Sequence, residues 1–256
     1  MRDFVHQHSI VRKIWGNADL VLLIFAGGAA EFALNRAVDW LFFTGKLPAD
    51  PIGRLFSTVQ YAQQIVFSTE EKALQAIHRM GAIHANVEEQ RGQAIPDWAY
   101  RDMLYLLIDY SERAYQLLER PLSSAERSEL YDVFRRVGEG LHIPHLPATY
   151  PEWQVDRQCH IANDLVYSPH TKQLFARYEE QLGGWRYRLL LRVQALLVPT
   201  AVRRLLSLPT QPLLASTLWL YPALNRVGLR PLMQRLLLPS EYLDDVRRLD
   251  KGTRGI

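Results

Sequence analysis

A single cysteine, Cys159, stands in the 256 residues. One thiol makes no internal disulfide, and it excludes a multi-thiolate zinc or iron–sulfur centre. A reducing compartment, the cytoplasm, is the simplest expectation. Long apolar runs are lacking as well. The first begins at Leu20 and is broken at Glu31, well short of the roughly 20 residues that cross a bilayer. The polar stretch before it, with His6, His8 and Asp19, does not read as a secretory leader. No segment alternates apolar and polar residues in the strand period, and none repeats. There is no glycine-rich phosphate loop after a strand and no G-x-S-x-G elbow. Acidic residues are missing altogether between Glu180 and Glu241. The charges there are Arg186, Arg188, Arg192, Arg203, Arg204, Arg226, Arg230 and Arg235, set among leucines. A leucine-rich core face backed by solvated arginines is the simpler reading. Peripheral contact with an anionic membrane through residues 185–238 is the sharper one. Nucleic acid is not expected as a partner, because the net charge is only +3 and no recognised basic motif is present.

What remains is helix. Apolar residues make up 48% of the chain and charged residues 22%, enough for one large core and too apolar for disorder away from the ends. A helix is expected over Asp19–Phe43, with the Gly27-Gly28 pair admitting a close neighbour or a bend. Pro51 opens a second, running to Phe67. Ser68 with Glu71 has the spacing of a capping box for a third, to about Glu89. Asp97 is placed to cap a long fourth helix that ends before Pro121, and Ser123 with Glu126 forms another box. Pro144, Pro147 and Pro151 mark an irregular link, after which helices resume over 152–167, 170–181 and 185–197. The expected class is all-α, one globular multi-helix domain. Its parts are a lead-in at 1–17, the main body at 18–206, an Arg/Leu/Pro-rich helical part at 207–250 packed on it, and a tail at 251–256.

Among residues that carry chemistry, His84 comes first. Leu74, Ile77, Gly81, His84 and Val87 recur three and four apart, so they share an apolar face that turns the imidazole inward. Gly81, one turn earlier, leaves the surface beside the ring flat. A buried neutral imidazole next to an open apolar slot suits the proximal side of a haem iron; a core histidine bonded to a carbonyl is the plainer alternative. On the preceding helix Arg54, Thr58 and Tyr61 share a face, with Ser57 beside them. A buried arginine requires an anion such as a propionate, and an exposed polar stripe is its alternative. Glu31 is a candidate polar group near the iron, set against a capped or solvent-reaching carboxylate. His160 and Asp164 lie one turn apart. They offer a metal two ligands without a nameable third, so a local hydrogen bond is the simpler reading. Glu139 and His142 make one Glu-x-x-His match, which is too few for a di-iron bundle.

The run Asp50-Pro51-Ile52-Gly53-Arg54-Leu55-Phe56-Ser57-Thr58-Val59-Gln60-Tyr61, then Ile65-Val66-Phe67 and Ala82-Ile83-His84-Ala85-Asn86-Val87, resembles the domain shared by latex-clearing proteins and MpaB-type oxygenases. The likeness continues through Tyr100, Asp109, Arg113-Ala114-Tyr115 and Pro121-Leu122-Ser123. It then passes Pro147-Ala148-Thr149-Tyr150 to Leu197-Val198-Pro199 and covers about residues 18–206. The resemblance implies an all-α domain holding haem b, with His84 as the iron ligand and Arg54, Ser57, Thr58 and Gly81 lining the cofactor pocket. It implies an oxygenase that cleaves carbon–carbon double bonds of isoprenoid chains with dioxygen. Ser57 stands where latex-clearing proteins carry a lysine that closes the distal side of the iron, so an open or water-filled distal site is expected. The trailing Trp-Val-His run of many members is Met103-Leu104-Tyr105-Leu106-Leu107 here. The functional expectation is therefore a haem-dependent oxidoreductase acting on an apolar small molecule or lipid. Its alternative is a helical haem- or lipid-binding protein without turnover, peripheral to a membrane.

Overall fold

The computed structural model describes residues 2–43, 45, 49–209 and 248–249. Within them the chain forms α1 (Ile10–Trp15), α2 (Ala18–Phe32), α3 (Val38–Phe43), α4 (Pro51–Val66), α5 (Glu70–Arg91), α6 (Asp97–Leu118), α7 (Ser124–Gly140), α8 (Tyr150–Asn163), α9 (Pro169–Leu182), α10 (Gly184–Leu197) and α11 (Thr200–Leu205). No strand occurs among the described residues, and the apolar side chains of all these helices merge into one core. The proline-marked link at 144–151 is therefore not a domain boundary. The Arg/Leu/Pro-rich part at 207–250 and the tail at 251–256 lie almost wholly outside the described residues. So does most of the 185–238 membrane reading. None of the described helices is long and apolar enough to cross a membrane.

Two central helices organise the body. α2 packs along α6 more extensively than any other described pair, with α10 laid against both. The glycine pair in α2 is the reason: a Cβ on Gly27 would meet the Tyr110 ring at 2.3 Å. The pair serves a close neighbour rather than a bend. α7 and α8 pack on α6 and on each other, α4 pairs with α5, and α9 joins α10 to α4. The lead-in at 1–17 contributes to the same core: Phe4, Val5, Val11, Ile14 and Trp15 are buried.

Several boundaries differ from expectation, two of them for a non-local reason. The helix expected over Asp19–Phe43 is two helices. Between them the Asn35 side chain accepts the Ala37 N–H (2.8 Å), the Arg36 N–H donates to the Asp164 carbonyl and the Val166 N–H to the Leu34 carbonyl (2.9 and 2.7 Å). The backbone leaves the helix to form a bridge between Asn35 and Leu165. The start of α5 is set by Thr69 rather than Ser68. Residues 2–4 pair with 68–70 there, the Phe4 N–H donating to Ser68 and the Glu70 N–H to Arg2. Asp97 is the first helical residue of α6, after Pro96, and does not cap it. The Ser123–Glu126 box is present as expected. Arg120 grips the same carboxylate at 2.7 and 2.8 Å.

That ion pair and the Ser123 N–H hold the Glu126 carboxyl down to about 2, from an ordinary 4.5. A depressed carboxylate supports folding at all pH values above its unfolded value and loses that support as pH falls toward 2. An NMR titration of Glu126 should show a midpoint near 2 that returns toward 4.5 in Arg120→Ala.

Candidate functional site

α4 and α5 carry the residues singled out in the sequence. Asp50 accepts the Gly53 N–H (2.9 Å) with Pro51 at the first turn, a local signal that starts α4 where expected. On α4, Ile52, Leu55, Phe56 and Val59 share one side. Arg54, Ser57, Thr58 and Tyr61 occupy the opposite side at about 100° per residue. The hydroxyls of Ser57 and Thr58 both donate to the Arg54 carbonyl (2.8 and 3.1 Å), and the Arg54 guanidinium donates to Ser57 Oγ (3.1 Å).

α5 is buried only along Ala73, Ala76 and Ile77. Leu74, expected on the inward face, is 38% exposed, so the apolar stripe is narrower than its spacing suggested. Gly81 and His84 are half-buried. The Nδ1 atom of His84 is buried and has no hydrogen-bond partner among the described residues. Burial first, and the Arg54 charge second, hold the imidazole pKa below its usual value against an opposing Glu88. Near neutral pH the ring is uncharged, the form that binds a metal. The Tyr100 ring lies 5.2 Å from it, tilted. Glu88, one turn on, accepts from Tyr100 Oη (3.1 Å) and from the Ile95 N–H (2.8 Å). Among the described residues a Cβ on Gly81 would meet only Leu141, at 3.9 Å.

An orphaned nitrogen on an uncharged ring, a nearby guanidinium and space beside Gly81 fit what a haem group requires of a protein. Arg54 and His84 are thus brought together. Glu31 is not: it is buried, takes both terminal nitrogens of Arg157 (2.6 and 2.7 Å) and accepts from Tyr110 Oη (3.0 Å). It is neither solvent-reaching nor available near His84. His142 and His145 are exposed on left-handed turn backbone, φ 58° and 59°.

The apolar side of α4 faces a separate cavity of about 160 Å³. It is walled by Val21, Phe25 and Ala29 of α2, Phe56 and Val59 of α4, and residues of α9 and α10, with Arg186 its charged lining residue. This cavity leaves no mark in the sequence, because its walls come from four helices. Nor was the buried Arg157 of α8 expected, although His160 and Asp164 on the same helix were named. Trp153, Arg157, His160 and Ile161 form that helix's buried face. An arginine and a histidine at core spacing were the available signal.

These features define a single all-α domain with a helix-borne imidazole and an apolar cavity on the two sides of one helix. The chain belongs to the family described as ER-bound oxygenase mpaB/B'/Rubber oxygenase, catalytic domain, whose model matches residues 12–227. The family is one of oxygenases, and the match reaches beyond the 18–206 suggested by the motif run. No curated protein and no solved structure gave a significant match.

Proposed function

We propose that the chain is a haem-b-dependent oxygenase acting on an apolar, unsaturated molecule of the isoprenoid or lipid kind, with His84 as the proximal iron ligand. The observation that carries this reading is the His84 imidazole, uncharged and with a buried nitrogen that no group among the described residues satisfies. Arg54 supplies the cation that a propionate requires. Ser57 and Thr58 present hydroxyls on the same side of α4, and Gly81 keeps side-chain bulk away. Bound haem supplies activation of dioxygen, chemistry that no side chain provides. The chain's own part is to hold the group, orient it and keep water out. The cavity on the other side of α4, lined by leucine, valine and phenylalanine, has room for an apolar ligand.

Purified protein given haemin should develop a Soret band distinct from that of free haemin, and His84→Ala should lose it. A band unchanged in His84→Ala would remove His84 from the iron. The second reading, binding without turnover, draws support from the placement of His84 and the cavity on opposite sides of α4. Oxygen uptake by the haem-loaded protein with an unsaturated isoprenoid separates the two: uptake supports the oxygenase, and none supports the binder.

A further inference from the structure

We propose that Asp102, His160 and Asp164 bind a divalent transition-metal ion, with Zn²⁺ the best match to these ligands, at a site separate from His84. His160 and Asp102 are buried, on α8 and α6, and Asp164 caps the end of α8. One ligand atom from each lies within 4.8 Å of the others. Asp102 Oδ1 forms a short hydrogen bond with His160 Nδ1, and Asp164 Oδ2 lies 3.2 Å from the same nitrogen. A ring nitrogen carries one proton or one lone pair, so it serves one carboxylate fully and leaves the second competing. A cation seated among the three atoms satisfies all of them. Zinc with ligands at 2.0–2.1 Å places neighbouring ligand atoms about 3.3 Å apart in a tetrahedron. The contact between Asp164 and His160 already has that span.

The surroundings match a supported ligand set. Asn35 Nδ2 donates to the other Asp102 oxygen at 2.6 Å and fixes that carboxylate. The Asp156 carboxylate faces the second ring nitrogen at 3.7 Å and is itself held by Tyr105 Oη at 2.7 Å. A carboxylate behind a ligating imidazole orients the ring and strengthens it as a donor. The Asp164 side chain is 15% exposed, enough to admit an ion and leave a position for water. The site is distinct from His84. Tyr100, which touches His84, and Asp102 are two positions apart on α6, about 200° around the helix. One imidazole with two carboxylates suits Zn²⁺ over Mg²⁺, which prefers oxygen ligands and retains its waters.

The full chain, freed of metal by a chelator and without haem, is titrated with Zn²⁺ calorimetrically and with Co²⁺ by visible spectroscopy. The wild type should bind Zn²⁺ with one tight equivalent, show a tetrahedral Co²⁺ spectrum and melt at a higher temperature with Zn²⁺ but not with Mg²⁺. His160→Gln and Asp164→Asn should weaken that equivalent by about 100-fold or more, and Asp156→Asn by about 10-fold. His84→Ala should leave it unchanged. Asp164 sits at the rim, so its variant keeps the fold even where His160→Gln does not. Absence of a tight equivalent in the wild type, or its retention in Asp164→Asn, overturns the site and leaves an imidazolium shared between carboxylates.

Discussion

Arg157→Met should destabilise the protein by about 3–5 kcal/mol. The guanidinium is buried and spends its donors on two carboxylates: Glu31 through two nitrogens, and Asp109 at 2.9 and 3.1 Å. Removing it leaves Glu31 in the core with Tyr110 as its one remaining donor among the described residues. Asp109 fares better, because Arg113 holds its other oxygen at 2.6 Å. The cost therefore falls on Glu31, and removing that charge too should recover part of it. In a urea-denaturation cycle, Glu31→Gln with Arg157→Met should be less destabilising than the sum of the single changes, by about 1–3 kcal/mol. Additive losses would show that the pair is not coupled. An intact network makes no claim to be the most stable core: apolar replacement of a whole buried ionic group is often neutral or better.

The second large effect is expected at Gly27. An alanine there would place its Cβ 2.3 Å from two carbons of the Tyr110 ring and 3.3 Å from Leu197. The ring cannot yield easily, since Tyr110 is fully buried and its hydroxyl is tied to Glu31. Overpacking of this kind costs up to about 3 kcal/mol, and the gain in helix propensity over glycine returns about 1 kcal/mol. A net loss near 2 kcal/mol should follow for Gly27→Ala. Gly28→Ala should cost less, because its Cβ meets the terminal methyl of Leu106 at 2.8 Å, which a rotamer change can move. Equal melting temperatures for the two variants would mean that α2 and α6 separate without penalty.

What could be read from the sequence was what is local. The Ser123–Glu126 box and the Asp50-Pro51 start of α4 depend on side chains within one turn, and both stand where expected. The glycine pair announced a close neighbour without naming Tyr110. Failures arise where a distant segment overrides the local period. Leu165 captures Asn35 and ends α2, and residues 2–4 shift the start of α5 to Thr69. At the candidate site the spacing put His84 on a face with Leu74, Ile77, Gly81 and Val87, of which only Ile77 is buried. The exposure of Leu74 was not legible, because spacing gives a direction and not the presence of a neighbour. The third partner of His160 and Asp164 had no sequence signal, since Asp102 stands on another helix.

The tie between Glu31 and Arg157 spans 126 residues. At the roughly 5–20 residues per second of synthesis, α2 waits on the order of ten seconds for its cationic partner to emerge. Throughout that interval its carboxylate stands in water, ionised at no cost. Until α8 is made, α2 thus carries Glu31 near the end of its apolar stretch without the guanidinium that meets it in the folded chain.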